Sequence, residues 1–179
     1  QALARIESDP DVKLVILSNA YLMYLPADNI RSMERAQTET VAQAYEVGLR
    51  KTMERLLAQQ KKIILVKSIP TYPMLSTVTA CASEVRPAWR RQPADCIRDR
   101  DVVDFERREY DALVGRAVDG LHDVSIFNTL DELCDARYCY VNRNGVLMYI
   151  DSGHFTTAGS QLMAAALARQ IEVAMQKNH

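Results

Sequence analysis

Two spacings of apolar residues alternate along the chain. Val12 to Leu17 (VKLVIL), Ile63 to Val66 (IILV) and Val124 to Phe127 (VSIF) are short, nearly continuous apolar runs rich in β-branched residues. That is the pattern of strands covered on both faces in a parallel sheet. Between them apolar residues recur every three or four positions. Val41, Tyr45, Leu49, Met53, Leu56 and Leu57 do so within Thr38 to Gln60, and Val103, Tyr110, Leu113, Val114 and Ala117 within Val102 to Val118. Each predicts a helix with one face on the sheet. Gln1 to Glu7 reads as the end of a helix broken by Asp9-Pro10. A last helix is predicted over about Thr157 to Gln176, burying Met163, Ala166, Leu167, Ile171 and Ala174 and flanked by Gln170. Before it, Asp131 to Cys134 fits a helical turn and Tyr140 to Asn142 a short edge segment. Asn144-Gly145 fits a hairpin turn leading into a further strand, Val146 to Ile150. Strand, helix, strand is a right-handed crossover unit. The alternation predicts an open α/β sheet, mostly parallel, with helices on both faces, a three-layer sandwich.

The middle of the chain breaks this rhythm. From Pro70 to Arg100 it holds Pro70, Pro73, Pro87 and Pro93, the single tryptophan Trp89, and a basic run at Arg86, Arg90 and Arg91. A loop of that length in a compact domain is functional or pinned by crosslinks. At 179 residues the chain is expected to form one domain with a sizeable core. Lys and Arg number 22 against 23 Asp and Glu, so the basic excess of a nucleic-acid binder is missing. No apolar stretch is long enough to span a membrane, and no secretory leader opens the chain. Gln1 follows no initiator Met, so the expectation is that the chain begins inside a longer protein.

The four cysteines bear on compartment. None form a C-x-x-C pair, so zinc-ribbon spacing is absent, and nothing else calls for a metal or a cofactor. Three disulfide connectivities are open. Local pairing, Cys81 with Cys96 and Cys134 with Cys139, is favoured because each pair closes a short loop lacking other structure, and it implies an oxidising compartment. The competing reading, four reduced thiols in a cytosolic protein, leaves cysteines in loops that packing does not explain.

The chemistry gathers at Tyr149-Ile150-Asp151-Ser152-Gly153-His154-Phe155-Thr156-Thr157. An apolar run ends in a carboxylate, an imidazole follows three residues later, and a helix starts under Thr156 or Thr157, whose hydroxyl can cap the first turn. Asp151 can accept a proton-bearing nitrogen of His154, fix its tautomer and stabilise its charged form, leaving the other nitrogen to take a proton from a hydroxyl nucleophile. The plain structural alternative is a capped turn in which both side chains bond only backbone. In open α/β sheets ligands sit beyond the C-terminal strand ends. Those ends are predicted to carry Asn19, Pro70, Asn128 and Asp151, which favours the catalytic reading. His122 and His179 read as a surface loop and a chain terminus.

A family resemblance rests on these residues. Val15-Ile16-Leu17-Ser18-x-x-Tyr21, the Pro-rich segment with Cys81 and Cys96, Leu133-Cys134 with Cys139, and Gly145-x-x-x-Tyr149-x-Asp151-x-x-His154-Phe155-Thr156-x-x-Gly159 together resemble the C-terminal SGNH domain fused to membrane acyltransferase-3 proteins, which is similar to GDSL-type hydrolases. Tyr149, Asp151, His154 and Gly159 match that family's closing block, with Phe155 in place of Leu and Thr156 in place of Ser. The resemblance covers nearly the whole chain and implies an SGNH-hydrolase-like, flavodoxin-like fold. It further implies O-acetylation of a bacterial surface polysaccharide in the periplasm, by a domain tethered to the inner membrane. The acyl group would be delivered by a membrane domain of the same polypeptide. His154 and Asp151 would be catalytic. The family's nucleophile lies in a Gly-Asp-Ser block, and no such tripeptide occurs in residues 1 to 179; the resemblance places it, with the first strand, upstream of Gln1. Fused acyltransferase domains commonly carry Arg-Trp after the strand corresponding to Val12 to Leu17, where this chain has Asn19. Asn19 is a candidate oxyanion donor, or else a loop residue making a turn. Arg86, Trp89, Arg90 and Arg91 are candidates for stacking on an acidic glycan, or else a solvated basic loop.

Three functional readings stay open: this O-acyltransferase, a secreted carbohydrate esterase of the same fold, and, from another class, a non-catalytic module that binds glycan or a partner. The sequence preceding Gln1 separates them, through membrane spans with Gly-Asp-Ser, a leader with Gly-Asp-Ser, or no serine block.

Overall fold

A computed structural model describes residues 2–18, 40–72, 81 and 96–176. The sequence candidates Asn19, Arg86, Trp89, Arg90 and Arg91 lie outside these described residues. The elements run α1 (Ala2–Ser8), β1 (Leu14–Ser18), α2 (Val41–Ala58), β2 (Lys62–Val66), β3 (Ile97–Asp99), α3 (Arg100–Val118) and β4 (Val124–Phe127). After them come α4 (Leu130–Leu133), β5 (Tyr138–Tyr140), β6 (Asn142–Arg143), β7 (Val146–Leu147) and α5 (Thr157–Gln176). The described residues fall into two compact units. One is formed by those within Gln1–Ser68, Arg108–Phe127 and Ala174–His179, the other by those within Ile69–Arg107 and Asn128–Val173.

In the first unit β1, β2 and β4 form a parallel sheet in that order, with Val15 opposite Ile63 and Leu65 opposite Ile126. Two successive crossovers stepping one way across the sheet put their helices on the same face. Accordingly Leu49, Met53 and Leu56 of α2 and Tyr110, Leu113, Val114 and Ala117 of α3 form one core with Val15, Ile63 and Leu65, and Leu3 and Ile6 of α1 pack against it. These are the helix faces that the apolar spacing predicts. α2 starts under a capping box: the Thr40 hydroxyl accepts from Gln43 N at 3.2 Å, and the Gln43 side chain accepts from Thr40 N at 2.9 Å. On the opposite face Ile64 is fully buried, and Lys62 Nζ donates to the carbonyl of Ala174 at 2.5 Å, at the C-terminal end of α5. The architecture is α/β, with a parallel sheet and helices on both sides.

The second unit departs from expectation at Val146 to Ile150. Only Val146–Leu147 is strand, and it pairs antiparallel with Asn142–Arg143 rather than extending the parallel sheet. Asn144 and Gly145 both have positive φ, 53° and 83°. Such a turn folds the chain straight back on itself, and its backbone groups are used up in that hairpin. Met148 and Tyr149 are nevertheless fully buried, so the residues are as apolar as a sheet strand demands. A second ribbon pairs Ile97–Asp99 with Tyr138–Tyr140, two residues before the edge segment expected over Tyr140 to Asn142. Both disulfides are closed, Cys81–Cys96 and Cys134–Cys139.

Candidate active site

The Asp151–His154 turn is the tip of a small hairpin. Tyr149 and Phe155 form an antiparallel bridge; Ile150 N donates to His154 O at 2.8 Å, and Thr156 N to Met148 O at 2.9 Å. Thr156 then caps α5: its hydroxyl accepts from Gly159 N at 2.9 Å and donates to Leu147 O at 2.5 Å. Of the two threonines that the sequence offered, Thr156 does the capping.

Inside the tip, Asp151 Oδ1 accepts from Gly153 N and His154 N, both at 2.8 Å. His154 Nδ1 lies 2.8 Å from Asp151 Oδ2 and 3.0 Å from Oδ1. The Gly153 amide, followed by the His154 ring and the His154 amide, holds the Asp151 carboxyl below its ordinary value, so it stays an acceptor at neutral pH. An ionised carboxylate can only accept; Nδ1 therefore carries the proton, and Nε2 of the neutral ring keeps its lone pair. Nε2 has no hydrogen-bond partner among the described residues, and the imidazole is 69% exposed. The turn is thus backbone-capped, the plain structural reading of D-x-x-H, and it leaves Nε2 of His154 oriented and accessible, the geometry that a base requires.

Beneath the tip lies apolar packing that sequence reading did not single out. The Tyr149 ring stands against Tyr72 at 4.8 Å and Phe155 at 5.2 Å between centroids. The Tyr149 hydroxyl donates to Pro70 O at 3.1 Å, and Tyr72 N donates to Ser152 O at 2.7 Å. Tyr149 and Gly159 did stand in the matched block; nothing near Tyr72 signalled its part, because its contacts lie about 80 residues along the chain.

No group of three or more His, Cys, Asp or Glu suited to a metal ion occurs among the described residues, and nothing in the turn resembles a cofactor cradle. A groove of about 770 Å³ in the first unit, lined by Lys13, Lys61, Lys62 and His122 among others, includes none of the turn residues. The ammonium groups of Lys61 and Lys62 are tied there to the carbonyls of Asp9 and Ala174. Asn19, Trp89 and Arg90 belong to segments outside the described residues.

No curated protein sequence matches the chain. Among solved structures it resembles the periplasmic domain of a lipopolysaccharide acetyltransferase from Salmonella ser. Paratyphi A, with a TM-score of 0.58 at 14% identity. The match covers 94% of this chain and 60% of that one, so at this identity the likeness is one of fold. The family model for the SGNH domain fused to AT3 domains matches residues 1–169, a span that takes in the core sheet, both disulfides and the Asp151–His154 turn; the chain belongs to that family.

Proposed function

We propose that this chain takes part in transfer of an acyl group, acetyl in the simplest case, to hydroxyls of a bacterial cell-surface polysaccharide. The carrying observation is the Asp151–His154 pair, with Nδ1 on the carboxylate and Nε2 open. Family membership supports a membrane acyltransferase domain as the source of the acyl group, and two disulfides fit the oxidising periplasm.

The chemistry runs in two steps. A serine hydroxyl loses its proton to His154 Nε2 as its oxygen attacks the donor carbonyl; the donor's leaving group departs with that proton, giving an acyl-serine. A sugar hydroxyl then loses its proton to the same nitrogen as it attacks the acyl carbon, and the serine oxygen leaves and is reprotonated by the imidazolium. Asp151 stabilises the imidazolium in both steps. Water in place of the sugar gives hydrolysis, so transfer demands that the acceptor be held and water kept out. In this proposal the serine belongs to a Gly-Asp-Ser block outside residues 1 to 179, Asn19 donates to the oxyanion, and Trp89 and Arg90 meet the glycan.

The test is turnover of a chromogenic acetyl ester, and acetyl transfer to polysaccharide, by the full-length protein. His154→Ala is expected to lower turnover by roughly 10³-fold or more and Asp151→Ala by a similar or smaller factor, with circular dichroism unchanged. A folded His154→Ala variant with wild-type turnover refutes the proposal and leaves the binding-module reading.

A further inference from the structure

Two tyrosines pack edge-to-face beneath the candidate base, and they hold the chain by different atoms. Both are almost completely buried, Tyr72 2% exposed and Tyr149 0%. Tyr149 uses its hydroxyl, which donates to Pro70 O at 3.1 Å. Tyr72 uses its backbone N–H, which donates to Ser152 O at 2.7 Å, while its own hydroxyl is buried with no hydrogen-bond partner among the described residues. Ser152 sits in the middle of the tip between Asp151 and His154. Among the described residues, the Tyr72–Ser152 hydrogen bond is the one that ties residues 151–154 to chain outside their own hairpin.

A tie of this kind directs the turn only if the donor is itself held. Pro70 to Tyr72 belongs to neither helix nor strand, so no ladder holds it. Two side chains do. Tyr149 fixes the Pro70 carbonyl, hence the peptide plane joining Pro70 to Thr71. Arg98 Nη1 donates to Thr71 O at 2.6 Å, and that oxygen shares its rigid plane with the Tyr72 N–H. Arg98 is in turn paired with Glu106 at 2.5 Å. With consecutive peptide planes pinned, the Tyr72 amide has one direction left, toward Ser152.

We propose that Tyr149 is a positioning residue: through Pro70 its hydroxyl aims the Tyr72 amide at Ser152 and so sets the orientation in which Asp151 holds the His154 ring. The proposal rests on the acyl-transfer reading for its kinetic consequence, not for its geometry. Burial pushes the Tyr149 phenol far above its ordinary value, so it remains a donor across the working pH range. Its ring packing on Tyr72 and Phe155 survives loss of the hydroxyl, so Tyr149→Phe removes the tie and little else.

Two measurements on Tyr149→Phe test this, with Arg98→Gln as a second variant that loosens the neighbouring plane. In the full-length protein, turnover of a chromogenic acetyl ester should fall about tenfold in kcat with KM unchanged, the signature of a misaimed base rather than a damaged binding site. In this chain, which has three histidines, ¹⁵N spectroscopy of neutral His154 should show the Nδ1–H tautomer in the wild type and a tautomer mixture in both variants. A folded Tyr149→Phe protein that keeps wild-type kcat, or shows the single tautomer, overturns the inference, as does a change confined to KM. Wild-type turnover by His154→Ala would instead sink the acyl-transfer reading, and the tautomer measurement, which needs no substrate, still decides the role of Tyr149.

Discussion

A Cβ placed on Gly159 would stand 2.3 Å from the carbonyl oxygen of Met148 and 3.0 Å from its Cα. The obstacle is backbone, and that same carbonyl accepts the Thr156 amide, so it cannot swing aside without uncapping α5 beside His154. Elsewhere in a helix, Gly→Ala gains up to about 1 kcal/mol. Here the overpacking cost, about 1–3 kcal/mol in cores, opposes and exceeds that gain. Gly159→Ala is therefore expected to lower the unfolding free energy by about 1–2 kcal/mol in urea titration. A variant as stable as the wild type would mean that the helix does not start against Met148. The glycine was legible in the sequence as a matched position, and so were Asp151 and His154, because three residues of spacing on one turn is a local relation. The sequence anticipated one engaged and one open nitrogen; that Nδ1 is the engaged one and Nε2 the open one came from the structure.

At the scale of elements, one carboxylate gathers the four-residue link between Cys134 and Cys139. Asp135 accepts from the Tyr140 hydroxyl at 2.5 Å, Arg137 N at 2.7 Å and Tyr138 N at 2.8 Å. These bonds, the tyrosine's first, lower its value from 3.8 to about 2. A carboxyl depressed in the folded state binds its proton more weakly there than in the unfolded chain. Its contribution to stability is complete above 3.8 and is lost as pH falls toward about 2. Asp151, also lowered, acts in the same direction. Asp135→Asn should thus flatten part of the acid limb of the urea midpoint against pH while leaving the part due to Asp151. Parallel acid limbs in the two proteins would show that Asp135 does not hold the loop. The hairpin at Asn144-Gly145 and the start of its second arm at Val146 were readable from the sequence, yet the arm's end at Leu147 and its separation from the parallel sheet were not. Val146 to Ile150 has the apolar content of a sheet strand, and apolar content does not name the backbone it pairs with.

For the whole molecule the crosslinks set the largest single expectation. Cys81–Cys96 spans 15 residues and Cys134–Cys139 five, which in the chain-entropy model stabilise by about 3 and about 2 kcal/mol. Reduction and alkylation should accordingly lower the guanidinium midpoint. Peptide mapping without reductant should recover both pairs; four free thiols would remove both the staples and the argument for an oxidising compartment. By itself the sequence determined what repeats or closes within a few residues. The buried faces of α2 and α3 follow from spacing, the strand cores of β1, β2 and β4 from β-branched runs, and the Asp151–His154 pair from one turn. Local disulfide pairing was favoured by short loops, with other connectivities still open. Tertiary structure alone decided the hydrogen bonds joining Tyr149 to Pro70, 79 residues apart, and Tyr72 to Ser152. It alone decided that β7 turns back on β6 instead of joining the parallel sheet. The physical reason is the same in each case. Side-chain periodicity records which face of an element is buried, whereas the partner of a given backbone N–H or carbonyl depends on where a distant peptide plane comes to rest.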